Sequence, residues 1–160
     1  MKLTHTSDEY FMDLALREAR RAALRGEVPV GAVIVIEGRI VGRGYNRSIT
    51  AHDPSGHAEM VALRAAGRRL KAYRLTGSKL YVTIEPCPMC AGALVWARVA
   101  EVVFGASDPK AGACGSVMNV ARHRKLNHRI RVTGGVREDE CRRLIQDFFK
   151  QTRIQKRNKL

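Results

Sequence analysis

Stretches with helical and strand-like patterns alternate closely along this chain, and the alternation restricts the architectures it can adopt. The first run has acidic side chains in its first turn, arginines near its end and Gly26 after it, which predicts a capped amphipathic helix. Two runs rich in β-branched residues flank Glu37-Gly38, which predicts a hairpin. In order, the pattern predicts a helix at 7–26, strands at 30–36 and 39–45, a helix after His57, a strand at 79–84, a helix at 89–98, a strand centred on 101–104, a short strand at 129–133 and a helix at 138–155.

This order of elements favours an α/β fold built on one mixed sheet of about five strands. Strands separated by helices become parallel neighbours through crossover connections, and the helices then cover the sheet. A chain of 160 residues is long enough for one domain with its own core. We therefore expect a single domain over residues 1–160, with a basic C-terminal helix and tail from about residue 137.

The sequence favours neither a membrane span nor an export signal. The apolar run at 28–36 has nine residues, whereas a membrane-spanning helix needs about 18 or more. Asp8 and Glu9 interrupt the N-terminus before the apolar segment of a secretory signal can develop. We expect a cytoplasmic protein.

Positive charge accumulates toward the C-terminus. The chain has 29 Lys and Arg against 15 Asp and Glu, a formal net charge of +14. Residues 1–60 carry 8 basic and 8 acidic side chains, residues 61–120 carry 8 and 3, and residues 121–160 carry 13 and 4. Such a gradient fits a polyanionic partner such as a nucleic acid, but a solvated basic surface fits it equally well.

Cys87 and Cys90 form a C-x-x-C motif where a predicted strand ends and a predicted helix begins. A helix N-terminus favours thiolates, so the motif suits either a redox dithiol or a pair of metal ligands. A disulfide framework is not expected in a chain without an export signal.

His57 and Glu59 favour the metal interpretation. One histidine and two cysteines are a known zinc set that leaves a fourth position for water. Glu59 suits a catalytic site, which needs a group that moves protons, but it can share a side with His57 only if His57 stands at the helix entrance. A closed structural site would need a fourth ligand, for which the candidates are Cys114, Cys141, His52, His123 and His128.

His57-Ala-Glu59, 26 intervening residues and then Pro86-Cys-Pro-Met-Cys90 is similar to the signature of the zinc-dependent nucleoside and nucleobase deaminases. Within this superfamily, the chain resembles the bacterial tRNA-specific adenosine deaminases from about residue 8 to residue 149. The segments that carry the narrower resemblance lie at 27–32, 44–47, 52–59, 73–75, 80–93, 103–112 and 127–129.

The resemblance implies a three-layer α/β/α cytidine-deaminase-like fold, a homodimer and one Zn²⁺ per subunit. It implies that His57, Cys87 and Cys90 bind zinc and that Glu59 is the catalytic residue that transfers protons. The implied reaction converts adenosine to inosine at the wobble position, 34, of a tRNA anticodon, with the anticodon stem-loop as the RNA partner.

The expected substrate-binding residues are Asn46, Asp108, Lys110 and Phe149. Asn46 ends a predicted strand and offers both a donor and an acceptor, and the resemblance implies that it contacts the nucleoside. Asp108 and Lys110 occupy a loop that the resemblance brings to the anticodon ribose and phosphate, and Phe149 offers a ring to a base. Three alternatives stay open: a small-substrate guanine or cytosine/cytidine deaminase, a nucleic-acid-binding module with structural zinc, and the redox dithiol.

Overall fold

The computed structural model describes residues 7–159, so most of the N-terminal segment that bears on an export signal lies outside the described residues. Nine elements follow one another in the predicted order. They are α1 (Asp8–Leu24), β1 (Gly31–Ile36), β2 (Arg39–Tyr45), α2 (Ala58–Leu70), β3 (Lys79–Ile84), α3 (Pro88–Trp96), β4 (Glu101–Ala106), β5 (Arg131–Thr133) and α4 (Glu138–Arg157). Within residues 7–159, no helix combines the length and apolar character needed to cross a membrane.

Several element boundaries differ from the predicted ones by one or two residues, and two of these differences have local reasons. The strand predicted at 129–133 begins at Arg131, because the Ile130 N–H donates to Ala121 O while the Arg131 N–H donates to Ala100 O. The helix predicted at 89–98 begins at Pro88, a residue suited to a first helical position, and ends at Trp96. Ser7 stands at the N-cap of α1, but its side chain makes no capping hydrogen bond.

The strands form one five-stranded mixed sheet in the order β2-β1-β3-β4-β5, which confirms the predicted sheet. Strand β1 runs antiparallel to β2 and β3, whereas β3, β4 and β5 are mutually parallel. Glu37 and Gly38 join β1 to β2 with positive φ angles of 50° and 72°. Such a pair matches the two-residue turn that fits the twist of a hairpin.

Helices cover both faces of the sheet, so the architecture is the expected α/β/α sandwich. Ile34, Leu80 and Val102 pack in one core cluster with side chains of α2 and α3. Val33, Tyr81 and Val103 belong to a second cluster with side chains of α1 and α4. Neighbouring strand residues serve opposite clusters because successive side chains of a strand point to opposite faces.

Helix α2 lies unusually close to β2, and we call this contact the β2–α2 seam. A Cβ added at Gly44 would collide with Ala58 O and stand 2.7 Å from Ala62 N. A Cβ at Gly42 would stand 3.0 Å from Ala66 Cβ. Because the seam has little side-chain bulk on either side, it fixes the first turn of α2 against the end of β2.

Candidate metal centre and active site

The N-termini of α2 and α3 bring His57, Cys87 and Cys90 together. His57 is the N-cap residue of α2, with φ −75° and ψ 153°, so it stands at the helix entrance, where the predicted geometry required it. Cys87 is the N-cap residue of α3 and Cys90 lies within its first turn. Both helix N-termini favour anionic groups, which suits thiolate ligands.

The three donor atoms have the spacing that a zinc ion requires. His57 Nδ1 lies 3.6 Å from Cys87 Sγ and 3.4 Å from Cys90 Sγ. A tetrahedral zinc with ordinary Zn–N and Zn–S bonds separates nitrogen from sulfur by about 3.6 Å. All three donor atoms lie within 4.8 Å of one another. The donor set therefore fits zinc without rearrangement of the backbone.

None of the candidate fourth ligands joins this group. Among residues 7–159, the cluster able to hold a metal ion contains His57, Cys87 and Cys90 alone. Cys141 packs on the opposite face of the sheet, and the His128 Nε2–H donates to Val99 O at 2.6 Å. A closed four-ligand structural site is therefore not formed by the described residues.

The pKa values of the Cys87 and Cys90 thiols are shifted in opposite directions. The hydrogen bond with Cys90, together with His57, lowers the pKa of Cys87 to about 4. The hydrogen bond with Cys87, reinforced by burial and by Glu59, raises the pKa of Cys90 well above its usual range. The pKa of His57 is raised, chiefly by its hydrogen bond with Cys87. Cys87 is thus the thiolate, and a metal must displace a proton from Cys90 to bind both sulfurs.

Glu59 lies in the first turn of α2 with only 4% of its surface exposed. Burial is the main cause that raises the pKa of its carboxyl. A carboxyl that binds a proton more readily than usual is suited both to accept and to return a proton. Its position beside His57 and the two thiols therefore meets the requirement for a general acid and base.

A cavity of about 680 Å³ opens above these residues. Seven of the eight predicted site residues line it, whereas Cys90 is fully buried beneath. They are Asn46, His57, Glu59, Cys87, Asp108, Lys110 and Phe149. The cavity is within the size range of small-ligand sites, so it can admit a nucleobase with its sugar.

Asn46 connects the cavity wall to the metal centre. Its Oδ1 accepts a hydrogen bond from the Ala58 N–H at 2.8 Å, which satisfies a free donor of the first turn of α2. The acceptor is therefore used within the protein, and the NH₂ group is the part of the side chain that can donate to a substrate.

Asp108 shapes the loop after β4. Its Oδ1 accepts hydrogen bonds from the N–H groups of Lys110, at 2.9 Å, and Ala111, at 3.2 Å. This is the side-chain turn that aspartate commonly forms with residues just ahead of it. The turn sets the course of the backbone at Lys110, whose side chain is exposed at the cavity.

Glu85 is a functional candidate that the sequence analysis missed. It is 3% exposed, and its carboxylate accepts hydrogen bonds from the N–H groups of Asp108 (3.2 Å), Cys114 (3.1 Å) and Ser116 (3.1 Å). The Ser116 hydroxyl donates to it as well. One buried carboxylate thus holds residues 108–116, the loop that forms one wall of the cavity.

Glu27 holds a second loop beside the cavity in the same way, through hydrogen bonds to its buried carboxylate. It is 1% exposed and accepts hydrogen bonds from the N–H groups of Ile49, at 3.2 Å, and Thr50, at 2.6 Å. These contacts fix the loop between Asn46 and His57.

Helix α4 adds cavity residues that the analysis also missed. Arg142, Ile145 and Gln146 line the cavity together with Phe149. Their spacing of three and four residues is that of one helical face, so the position of Phe149 was the signal that could have found them. Arg142 also pairs with Glu138 at 2.8 Å.

A donor set of one histidine and two cysteines, a buried carboxylate and an α/β/α sandwich define the class of zinc-dependent deaminases. Residues 5–106 match the family described as the cytidine and deoxycytidylate deaminase zinc-binding region. The chain is 47% identical over 152 residues to a tRNA-specific adenosine deaminase of Bacillus subtilis, covering 95% of this chain and 94% of the relative.

Solved structures are similar as well. One comes from a study of A-to-I editing by tRNA:A34 deaminases at the wobble position of transfer RNA. It shares 43% identity with a TM-score of 0.82 and covers 84% of this chain and 98% of that one. A guanine deaminase from Bacillus subtilis is 41% identical with a TM-score of 0.61, over 64% of this chain and 66% of that one. The chain belongs to the cytidine and deoxycytidylate deaminase family and, within it, to the tRNA-specific adenosine deaminases.

Proposed function

We propose that this protein catalyses the hydrolytic deamination of adenosine to inosine at position 34, the wobble position, of a tRNA anticodon. One observation carries the proposal: a His-Cys-Cys donor set spaced for zinc stands beside a buried carboxyl, Glu59, in a cavity sized for a nucleoside. The similarity to a tRNA-specific adenosine deaminase over 95% of the chain supports the choice of base and RNA.

His57 Nδ1, Cys87 Sγ and Cys90 Sγ are the atoms that hold the zinc. When bound, zinc lowers the pKa of water and so supplies a nucleophile near neutral pH. The two sulfurs enter as thiolates and the imidazole as the neutral ring, so the charges of the ligands balance those of the ion.

Glu59 moves the protons of the reaction. It accepts a proton from the attacking water and delivers it to N1 of the adenine ring, while the water oxygen bonds to C6. It then carries the second proton to the amino group, which leaves as ammonia. Water and adenosine are consumed and inosine and ammonia are formed, so Glu59 returns to its starting state.

The walls of the cavity orient the nucleoside. The Asn46 NH₂ group donates to the target nucleoside, since its carbonyl oxygen is bonded to Ala58. The partly exposed Phe149 ring stacks against a base, and Asp108 and Lys110 face the ribose and phosphate. A base enters such a site only after it has left its stack, and anticodon-loop bases are already unpaired.

The RNA partner is the anticodon stem-loop, and the excess of positive charge supports this choice. Residues 121–160 carry 13 basic and 4 acidic side chains, and α4 lies in this segment. We assign residues 1–160 to one deaminase domain, with the basic helix and tail from about 137 as its RNA-binding part. A tRNA substrate favours action in the cytoplasm.

A second copy of the chain is the proposed partner at α3. Trp96 at the end of α3 is 84% exposed, and Met89, Leu126 and Tyr73 are exposed on the same side at 39%, 42% and 82%. Trp96 is shared by two surface hollows, one of which Leu126 lines and the other Tyr73. An exposed apolar area of this kind supports a homodimer interface.

The decisive experiment measures zinc and inosine together. Purified protein is analysed for zinc by mass spectrometry and incubated with single tRNA transcripts, and inosine is quantified in the digested RNA. Glu59→Gln should lower the rate by a factor of about 1,000 or more, since it removes proton transfer, and should keep the zinc. Wild-type protein that carries zinc but forms no inosine on any tRNA with A34 would refute the proposal.

Deamination of a free base is the second candidate, favoured by the similarity to a guanine deaminase. The same preparation distinguishes the two candidates by ammonia release from guanine, cytosine and cytidine. Turnover of a free base in the absence of any tRNA activity would favour this second reaction. Affinity for tRNA that falls steeply with salt would favour the first.

A further inference from the structure

Three arginine side chains converge on one tyrosine ring. The guanidinium carbons of Arg47, Arg25 and Arg21 lie 4.8, 5.6 and 5.8 Å from the centroid of Tyr45. Arg47 also donates a hydrogen bond to the Tyr45 hydroxyl at 3.4 Å. The negative face of an aromatic ring attracts cations, so Tyr45 holds the three charges together. We call these four residues the Tyr45 arginine cluster.

The cluster has more positive charge than its protein neighbours neutralise. Arg21 pairs with Glu18 at 3.3 Å. Within residues 7–159, neither Arg25 nor Arg47 forms a salt bridge. Glu27, the nearby carboxylate in sequence, is buried and bonded to backbone N–H groups. Like charges at this separation repel one another, and an anion with several oxygens would relieve the repulsion.

The cluster stands at the end of the molecule that holds the cavity. Tyr45 ends β2, and its neighbour Asn46 lines the cavity. The Arg47 N–H donates to Gly56 O at 2.8 Å, directly before the metal ligand His57. Arg25 follows α1, and Val28 shortly beyond it also lines the cavity. The cluster therefore flanks the cavity on the side of α1.

Charge along α1 changes from negative at its start to positive at the end near the cluster. Asp8 and Glu9 lie in its first turn and Arg21 in its last, about 20 Å apart along a helix of this length. Residues 1–60 have no net charge, with 8 basic and 8 acidic side chains. The positive surface next to the cavity is thus a local feature of the fold, separate from the basic C-terminal segment.

We propose that the Tyr45 arginine cluster binds a backbone phosphate of the RNA strand that enters the cavity, outside the target nucleotide. The inference rests on the proposed function. Guanidinium groups match phosphate oxygens with paired hydrogen bonds, and a second arginine can share the same phosphate. The cluster thus extends the RNA-binding surface beyond α4 to the end of β2.

The test compares two double variants in binding a labelled anticodon stem-loop RNA by fluorescence anisotropy from 0.05 to 1 M KCl. Arg25→Gln with Arg47→Gln removes two charges from the cluster. Arg68→Gln with Arg69→Gln is the matched control, because these arginines end α2 at the far side from His57 and are exposed. Thermal melts of both variants exclude loss of fold as a cause.

Because the two arginines share one phosphate, the cluster variant should reduce the magnitude of the slope of log affinity against log salt by about 0.8, which is about sixfold in affinity between 1 and 0.1 M salt. The control should stay within about twofold of wild type. Equal losses in both variants, or weaker binding with an unchanged slope, would overturn the inference. Wild-type protein that forms no inosine would instead refute the proposed function, whereas an active wild type and an unaffected cluster variant would refute the cluster alone.

Discussion

Asn46 has one observed role in the fold and one proposed role in substrate binding, and the two can be separated. Its Oδ1 is bonded to the Ala58 N–H, which supports the start of α2 and the placement of His57. Its NH₂ group takes no part in this contact with α2. One side chain thus combines an observed helix-capping contact with the proposed substrate contact.

Substitutions at Asn46 should separate stability from activity. Asn46→Asp keeps an acceptor for the Ala58 N–H but has no NH₂ group, so the free energy of unfolding should change little while kcat/KM on tRNA falls at least tenfold. Asn46→Ala loses both groups and should also cost about 1 kcal/mol of stability. Urea unfolding and inosine kinetics measure the two effects. Equal stability losses in both variants would contradict this division.

The four cysteines should differ sharply in reactivity. The pKa of Cys87 is lowered to about 4 by its hydrogen bond with Cys90, so it is a thiolate at pH 7. Burial raises the pKa values of Cys114 and Cys141 to about 12, so both stay protonated there. After chelation of zinc, iodoacetamide at pH 7 should therefore modify Cys87 first, as read by peptide mass spectrometry.

Zinc supplies the control for this experiment. Protein reloaded with zinc should resist modification at Cys87, because a sulfur bound to metal is a poor nucleophile toward the reagent. Faster labelling of Cys114 than of Cys87 would contradict the assigned order of the thiol pKa values.

At the scale of elements, most of the fold could be predicted from the hydrophobic pattern and the turn residues. The hairpin at Glu37-Gly38 and the helices that start after His57 and Cys87 were predictable because each depends on a short stretch of sequence. The grouping of His57, Cys87 and Cys90 was predictable for the same reason. Glu85 was not, because its hydrogen-bond partners lie 23 to 31 residues away and no local pattern announces them.

Glu85→Gln should loosen the loop that Glu85 holds. An amide keeps one oxygen acceptor but brings an NH₂ group toward the N–H groups of Asp108, Cys114 and Ser116. Loss of hydrogen bonds to a buried charge should lower the free energy of unfolding by about 2 kcal/mol. Hydrogen exchange over residues 108–116 should rise, and KM for tRNA should increase more than kcat falls.

Glu37→Gln is the matched control, since Glu37 is exposed in the β1–β2 turn. It should leave stability within about 0.5 kcal/mol of wild type. Unchanged exchange over residues 108–116 in the Glu85 variant would show that other contacts hold the loop.

At the scale of the whole molecule, the two proposed surfaces lie on different elements. Helix α4 and the loops that follow α1, β2 and β4 frame the cavity, whereas the apolar surface around Trp96 is at the end of α3. A second subunit bound at Trp96 would therefore leave the α1 and α4 sides of each cavity available to RNA.

Trp96→Glu should convert the proposed homodimer to a monomer. The side chain is 84% exposed within one chain, so the folded monomer should lose little stability, whereas an interface would bury the new charge. Light scattering coupled to size exclusion measures the mass. Leu24→Glu is the control, because Leu24 is 89% exposed on α1 and should leave the mass unchanged. A wild-type mass of one chain would contradict the proposed homodimer.

The β2–α2 seam has a consequence for how such an enzyme can diversify. Because the close approach of Gly42 and Gly44 to the α2 backbone positions His57, the proposed metal ligand, this part of the site depends on positions that tolerate almost no larger side chain. The opposite walls of the cavity are loops and one face of α4, where side chains can be exchanged without disturbing that seat. Substitutions in these cavity walls can therefore change which substrate binds, while the residues that carry out hydrolysis stay in place.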